Sequence, residues 1–241
     1  MEQKVIISLT SYKDRLPMIW LTLSTLKKQT RKADKIILNV WEGDLKYIPF
    51  MVKHDIEKGN IELMVYEYDI KGHKKYYKVM QEYPNDIIIT VDDDAMYPED
   101  LVESLLKTHE QYPNCVCGRF VHRIIKGEKY KDWEHYCMSV YEPSMDLYCS
   151  GVGGVLYPPS ILHIGDITYE DIFECINADD VMLKHLQYKN GVKVVWTPND
   201  MPNPKKIPFS SLNSKPTLSD LNTEEKGNDY YLSRFKCYDE E

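Results

Sequence analysis

The segment Ile87-Ile88-Ile89-Thr90-Val91-Asp92-Asp93-Asp94 constrains this chain more than any other. A run that is apolar except for Thr90 leads straight into three carboxylates. Short continuous apolar runs mark strands buried on both faces of a sheet. Three adjacent carboxylates repel one another unless a cation or a partner compensates. Their oxygens suit Mg2+ or Mn2+, commonly together with substrate phosphates. Side chains alternate along extended backbone, so Asp92 and Asp94 share a side and Asp93 faces the other. The pair Asp92/Asp94 can then share one metal and one diphosphate. The competing reading is a solvated loop that caps a helix opened by Pro98.

The pattern around this segment predicts an α/β fold. Val5 to Leu9, Lys35 to Trp41, Ile61 to Tyr66 and Ile87 to Val91 read as strands. Between them, Leu16, Ile19, Trp20, Leu23 and Leu26 recur at helical spacing with Pro17 early, and His54 to Lys58 is a short helical piece closed by Gly59-Asn60. Lys75 to Glu82 suits a helix that Pro84-Asn85 breaks. Leu101, Val102, Leu105 and Leu106 form one face of the helix after Pro98. Apolar strands alternating with helices imply a mostly parallel central sheet with helices on both faces. Ligands bind such sheets outside the carboxyl ends of the strands. That rule directs attention to Thr10–Arg15 and to Asp92–Asp94.

The second half is less regular. Gly151-Val152-Gly153-Gly154 feeds a short strand, Ala178 to Tyr188 suits a helix, and Val192 to Trp196 reads as another strand. From Pro198 to Pro216 the chain is proline-rich and polar, and reads as an extended tail wrapping the domain or as a partly mobile one. Ala178-Asp179-Asp180 opens its helix with two acids, which serve equally well as N-cap residues or as a general base for an attacking hydroxyl. The glycines let backbone approach a ligand closely, although turn geometry is the commoner cause. Arg15, Lys74, Lys75, Arg119, His122 and Arg123 could balance a diphosphate leaving group. Tyr12, at the end of the first strand, could stack on a base, and Trp133, in a polar context, could contact a sugar.

Composition narrows the partners. The 241 residues carry a net charge of -8, and a duplex-binding protein normally presents a basic face, so nucleic acid is not an expected ligand. A bound divalent cation can invert local charge, which keeps anionic small ligands open. Cysteines 115, 117, 137, 149, 175 and 237 show no paired Cys-x-x-Cys spacing and read as reduced thiols of a cytoplasmic protein. The apolar run at the amino terminus is too short for a signal peptide, and no stretch has the apolar length of a membrane span.

Taken in order, Ile6 to Tyr12, Gln29-Thr30 with Asp34 to Leu38, Ile87 to Asp94 followed by Tyr97-Pro98, Gly151 to Pro159, and Ala178-Asp179-Asp180 resemble the GT-A glycosyltransferases, in particular bacterial enzymes similar to glycosyltransferase family two. The match runs over about residues 4 to 196. The resemblance implies a GT-A domain over 1–241, with a nucleotide-binding half at 1–110, an acceptor and donor-sugar half at 111–196 and an extension at 197–241. It implies Mn2+ or Mg2+ on Asp92 and Asp94, with Asp93 at the middle position. Thr10, Ser11, Tyr12 and Arg15 would contact the nucleotide, Lys74 or Lys75 would face it, and Gly153 and Gly154 would line the sugar. The base maps to Asp180, with Asp179 where Glu is more usual. A third metal ligand has no clear match, His163 and His185 being the candidates. The implied reaction is inverting transfer from a nucleoside-diphosphate sugar, UDP-sugars favoured, to a glycan or lipid-linked glycan acceptor. The implied setting is bacterial surface-glycan synthesis in the cytoplasm, which allows peripheral association with the inner face of the membrane.

Three other readings compete. In a haloacid-dehalogenase-like phosphatase Asp92 would be the nucleophile and Asp94 the acid/base, but three strand units precede Asp92 and Met96 replaces the small residue expected there. A nucleotidyltransferase should carry a glycine-rich loop after its first strand, and Thr10 to Arg15 has no glycine. A sugar-nucleotide-binding module without catalysis would have little reason to keep both acidic clusters.

Overall fold

A computed structural model describes residues 3–139, 142–198, 204–207 and 227–238. Eleven strands are described: β1 (Val5–Thr10), β2 (Lys35–Trp41), β3 (Glu62–Tyr66), β4 (Ile87–Thr90), β5 (Ala95–Met96), β6 (Val116–Gly118), β7 (Val121–Arg123), β8 (Leu147–Cys149), β9 (Val155–Tyr157), β10 (Val194–Trp196) and β11 (Lys205–Lys206). The helices are α1 (Ile19–Leu26), α2 (Phe50–Glu57), α3 (Tyr77–Glu82), α4 (Leu101–Gln111), α5 (Tyr169–Glu174), α6 (Asp179–Lys189) and α7 (Asn228–Arg234). None of these is long and apolar enough to cross a membrane.

Seven strands form the central sheet in the order β10-β6-β9-β4-β1-β2-β3. β1 pairs in parallel with β2 and β4, β2 with β3, and β10 with β6. β9 alone is antiparallel, to β4 on one side and to β6 on the other. The sheet is therefore mostly parallel, as the sequence predicts, and it runs without a break from the first half into the second. Alternation along the strands divides the core. Val5, Ile7 and Leu9 pack with α1, α2 and α4 on one face. Ile6 and Ile88 pack with α3, α5, α6 and α7 on the other.

Local chemistry sets the ends of these elements. Pro17 lies in a 3-10 turn, Leu16–Met18, that leads into α1. The Thr168 hydroxyl accepts from the Asp171 N–H while the Asp171 carboxylate accepts from the Thr168 N–H, a reciprocal cap on α5. Gly191, at φ +65°, follows α6 and its C-cap Asn190.

Several expectations change. The helix read at His54–Lys58 starts at Phe50, because Pro49 supplies its extended N-cap. Trp20 fits the helical spacing but is 37% exposed. Trp133 is a core residue, 4% exposed, packed on Tyr130, Tyr148 and Tyr238 with its indole N–H donated to the Glu128 carbonyl, so it faces no ligand. All six cysteines are free and buried. Most of the proline-rich tail lies outside the described residues. Its described piece, β11, pairs antiparallel with β5, and the Ile207 N–H donates to the Asp94 carbonyl at 2.8 Å.

Candidate active site

The acids foreseen from the sequence meet at the carboxyl edge of the sheet, and a buried lysine joins them. Lys75 closes a 3-10 turn, Lys71–Lys75, on the way from β3 to α3. Its Nζ lies 3.0 Å from Asp92 Oδ1 and 2.7 Å from Asp179 Oδ2. Burial disfavours the ammonium, but Asp179, then Asp92 and Asp180, outweigh it and hold the pKa of Lys75 well above the ordinary value. The preceding residue turns away: Lys74 is equally buried but pairs with Asp69. Of the two lysines predicted to face the site, the structure brings in Lys75 alone.

Gly151 completes the junction. Its N–H donates to Asp180 Oδ2 at 3.1 Å. A methyl group at Gly151 would stand 2.9 Å from Lys75 Nζ, 3.0 Å from Asp180 Oδ1 and 3.5 Å from Asp92 Oδ1. Glycine is needed here because three charged groups converge on its backbone. Gly72 has the same role on the far side, where a methyl would meet Asp179 Oδ1 at 2.5 Å. The two glycines assigned to the sugar have another cause. Gly153 is forced by the Phe120 backbone nitrogen, 2.7 Å from where its Cβ would be. Gly154, at φ +86°, is forced by Leu101. The glycine of this loop that touches the acids is Gly151.

The two carboxylates that open α6 are driven apart. Burial acts first on both and opposes ionisation. At Asp179, the Lys75 ammonium overcomes it and the pKa falls below the ordinary value. At Asp180, the negative Asp179 adds to burial, and the carboxyl is pushed up to about 7. Neighbouring acids with diverging proton affinities are how one site holds both a fixed charge and a proton acceptor. His73 is fully buried between the Tyr76 hydroxyl, 2.6 Å from Nδ1, and the Cys175 carbonyl, 2.9 Å from Nε2. Burial lowers its pKa to about 4, so it is neutral, and the carbonyl assigns the proton to Nε2.

The acid triplet does not divide by simple alternation: the backbone bends at Asp93 and Asp94, and Arg15 reaches both of them. Asp93 turns inward, 7% exposed, and accepts from Ser11 Oγ at 2.5 Å and Arg15 Nη1 at 2.7 Å. It fixes the loop rather than contacting a nucleotide, and the Ser11 hydroxyl is spent on it. Arg15 also reaches Asp94 Oδ2 at 3.2 Å. Burial opposes the guanidinium charge, but Asp93 and Asp94 hold its pKa above the ordinary value. Thr10 donates to the Asn39 carbonyl. Tyr12 is 42% exposed beside Arg15. Arg119 pairs with Asp100 deep under α4, His122 is buried and accepts the Tyr136 N–H, and Arg123 pairs with Glu134. None of these three reaches the acids. Lys206 on β11, which the sequence reading missed, lies within electrostatic reach of Asp94.

The donor set fits a hard cation. Asp92 Oδ2 and Asp94 Oδ1 take no hydrogen bond or ion pair from the described residues, because Lys75 and Arg15 hold the other oxygens. The described residues gather no group of three or more His, Cys, Asp or Glu side chains suited to a metal. His163 sits in a loop beside Ser160, and His185 faces the Lys236 carbonyl and Phe235, so neither joins the acids. Two carboxylates with the remaining positions left to phosphates and water is how Mg2+ is commonly held.

No protein-family model and no curated protein sequence matches the chain. Solved structures do. TarS residues 1–349 from S. aureus superposes with a TM-score of 0.54 at 14% identity, covering 84% of this chain and 60% of that one. Its complex with UDP-GlcNAc covers 89% of this chain and 62% of that one at the same score. The mannosyltransferase PcManGT from Pyrobaculum calidifontis, in complex with GDP-Man and Mn2+, gives 0.55 at 14% identity, covering 83% and 56%. The fold is that of the GT-A glycosyltransferases. The chain spans about three fifths of the length of these relatives.

Proposed function

We propose that the chain is a metal-dependent, inverting glycosyltransferase that moves a sugar from a nucleoside diphosphate to an acceptor hydroxyl. The reading is carried by one observation: Lys75 and Gly151 bind a carboxylate at the end of β4 and the two carboxylates that open α6 into a single cluster. A phosphate-handling acid and a proton-accepting acid thus face one space.

Asp92 and Asp94 would hold Mn2+ or Mg2+, which supplies neutralising charge to the diphosphate. Arg15 and Lys206 add positive charge beside Asp94, and Tyr12 offers an exposed ring to the base. Thr10 and Ser11 act by shaping this edge. The acceptor hydroxyl attacks the anomeric carbon on the face opposite the diphosphate. Its proton passes to Asp180 as the new C–O bond forms and the bond to the diphosphate breaks. Asp179, kept ionised by Lys75, raises the proton affinity of Asp180. The neighbours in complex with UDP-GlcNAc and GDP-Man support a nucleotide-sugar donor, and the one in complex with Mn2+ supports the cation. A glycan or lipid-linked glycan acceptor, a UDP-sugar donor and a bacterial surface-glycan role complete the reading.

The test is thermal shift across nucleoside diphosphates with and without Mn2+, followed by hydrolysis of sugar nucleotides in the absence of acceptor. A diphosphate that stabilises only with metal supports the reading. Phosphate release from a phosphomonoester would favour the phosphatase instead. Binding with no turnover in either assay would leave a sugar-nucleotide-binding module.

A further inference from the structure

The aromatic that the polar stretch around Trp133 exposes is Tyr136, three residues on and 58% exposed. A β-bulge projects it. Residues 134 to 137 run antiparallel to β7: Arg123 and Glu134 exchange both backbone hydrogen bonds, and the Cys137 N–H donates to the Val121 carbonyl at 2.8 Å. A regular ladder would pair Val121 with Tyr136. Instead His135 and Tyr136 both oppose His122. Bulges next to active sites re-aim side chains. Tyr136 adopts φ +55°, an unfavourable region for a bulky residue, and its N–H is held by His122 Nδ1 at 3.0 Å. Backbone strain of this kind persists only where the surroundings impose it.

The ring is buttressed from two directions. It stands edge-on to Phe120, centroids 5.4 Å apart at 89°, and to His122 at 5.1 Å and 85°. Phe120 in turn is the residue whose backbone and ring forbid a side chain at Gly153. Two residues back, Gly151 donates to Asp180. Tyr130 and Tyr148, beneath the His122 ring, lie within electrostatic reach of Asp180. A rigid outward-facing ring is therefore carried, through Phe120, on the same Gly151–Gly154 turn whose Gly151 holds the carboxylate assigned as the base. The apolar C–H face of a pyranose stacks on such a ring, and an open-chain polyol has no such face.

We propose that Tyr136, braced by Phe120 and His122 on the bulge, is the acceptor platform, and that the acceptor is a pyranose stacked there with one hydroxyl toward Asp180. The proposal rests on the glycosyltransferase reading and adds the acceptor class and its site. It is tested with methyl pyranosides, open-chain ribitol as control, and the variants Tyr136→Ala and Tyr136→Phe. Saturation-transfer NMR should show contact between the protein's aromatic protons and the sugar C–H protons in the wild type and in Tyr136→Phe, and not in Tyr136→Ala. In transfer assays with the productive pyranoside, Tyr136→Ala should raise KM by about three- to tenfold, the scale of one lost ring contact, with kcat within about twofold, and Tyr136→Phe should restore it. Metal-dependent UDP or GDP affinity of the wild type tests the underlying reading separately. Nucleotide binding without any pyranoside contact overturns the platform alone. So does equal response to ribitol, or a loss in Tyr136→Ala confined to the donor.

Discussion

Residues 3–110 and residues 111–198 each supply part of one acidic rim, by different means. In the first region, regular βα units deliver Asp92, Asp94, Arg15 and Lys75 where topology says ligands bind, at the carboxyl ends of parallel strands. In the second, strands of three residues and turns of glycine place Asp179, Asp180 and Tyr136 by close backbone approach and a bulge. On the proposed function, the first region would be the platform for the nucleotide and the cation. The second is shaped by long-range side-chain and backbone contacts, and on the proposed function selectivity for an acceptor is expected to reside there.

That division can be broken most severely from the first region. Asp92→Asn or Asp94→Asn, like removal of divalent metal with EDTA, should abolish metal-dependent stabilisation by UDP or GDP and reduce transfer to background. Retained metal dependence in both variants would sink the assignment of the cation site. The matching cut in the second region is Asp180→Asn. It should leave metal-dependent nucleotide affinity within about twofold while lowering transfer by about 10²- to 10⁴-fold, the usual worth of a general base. Because the Asp180 carboxyl is raised to about 7, it is protonated below that pH and cannot accept a proton. The transfer rate should therefore rise about tenfold per pH unit up to about 7 and level off above it. A flat profile between pH 5 and 8 would remove Asp180 from the role.

The link between the regions is Lys75. Lys75→Met should cost about 2 kcal/mol of stability, less than a fully buried pair because Asp92 and Asp179 retain some exposure. It should also reduce transfer by more than it weakens nucleotide binding. Gly154→Ala forces a side chain into a glycine-type conformation against Leu101 and should destabilise by about 1–3 kcal/mol with little effect on nucleotide affinity. The smallest change is Lys206→Ala. It should weaken UDP by about two- to fivefold and UMP by less, since its charge acts beside Asp94, and added salt should shrink the difference.

Much of the first region was legible in the sequence, because continuous apolar strands and helical spacing announce themselves over windows of five to ten residues. The acid triplet and the Asp179-Asp180 pair were legible for the same reason, since the first follows a readable strand and the second opens a readable helix. Lys74 and Lys75 could not be told apart, because a 3-10 turn rotates neighbouring residues about 120° from each other. β6, β7, β8 and β9, at three residues each, are too short to show a period. Trp133 and Tyr136 sit in the same polar stretch, and the bulge that buries one and presents the other depends on pairing with β7. Gly72 carried a usable signal, a glycine shortly ahead of two lysines in the turn between β3 and α3, yet its cause is Asp179, more than a hundred residues away.

The reversed direction of β9 has a consequence for how such a molecule can change. Its parallel neighbours offer the rim their outgoing loops, whereas β9 offers its incoming one, so the Gly151–Gly154 turn arrives beside Asp92 from the opposite sense of the chain. The stretch upstream of that turn, from β7 through β8, packs its apolar residues into the core yet takes no part in the register of β1, β2 and β4. On the proposed function, a change of recipient is expected to fall in that single continuous stretch.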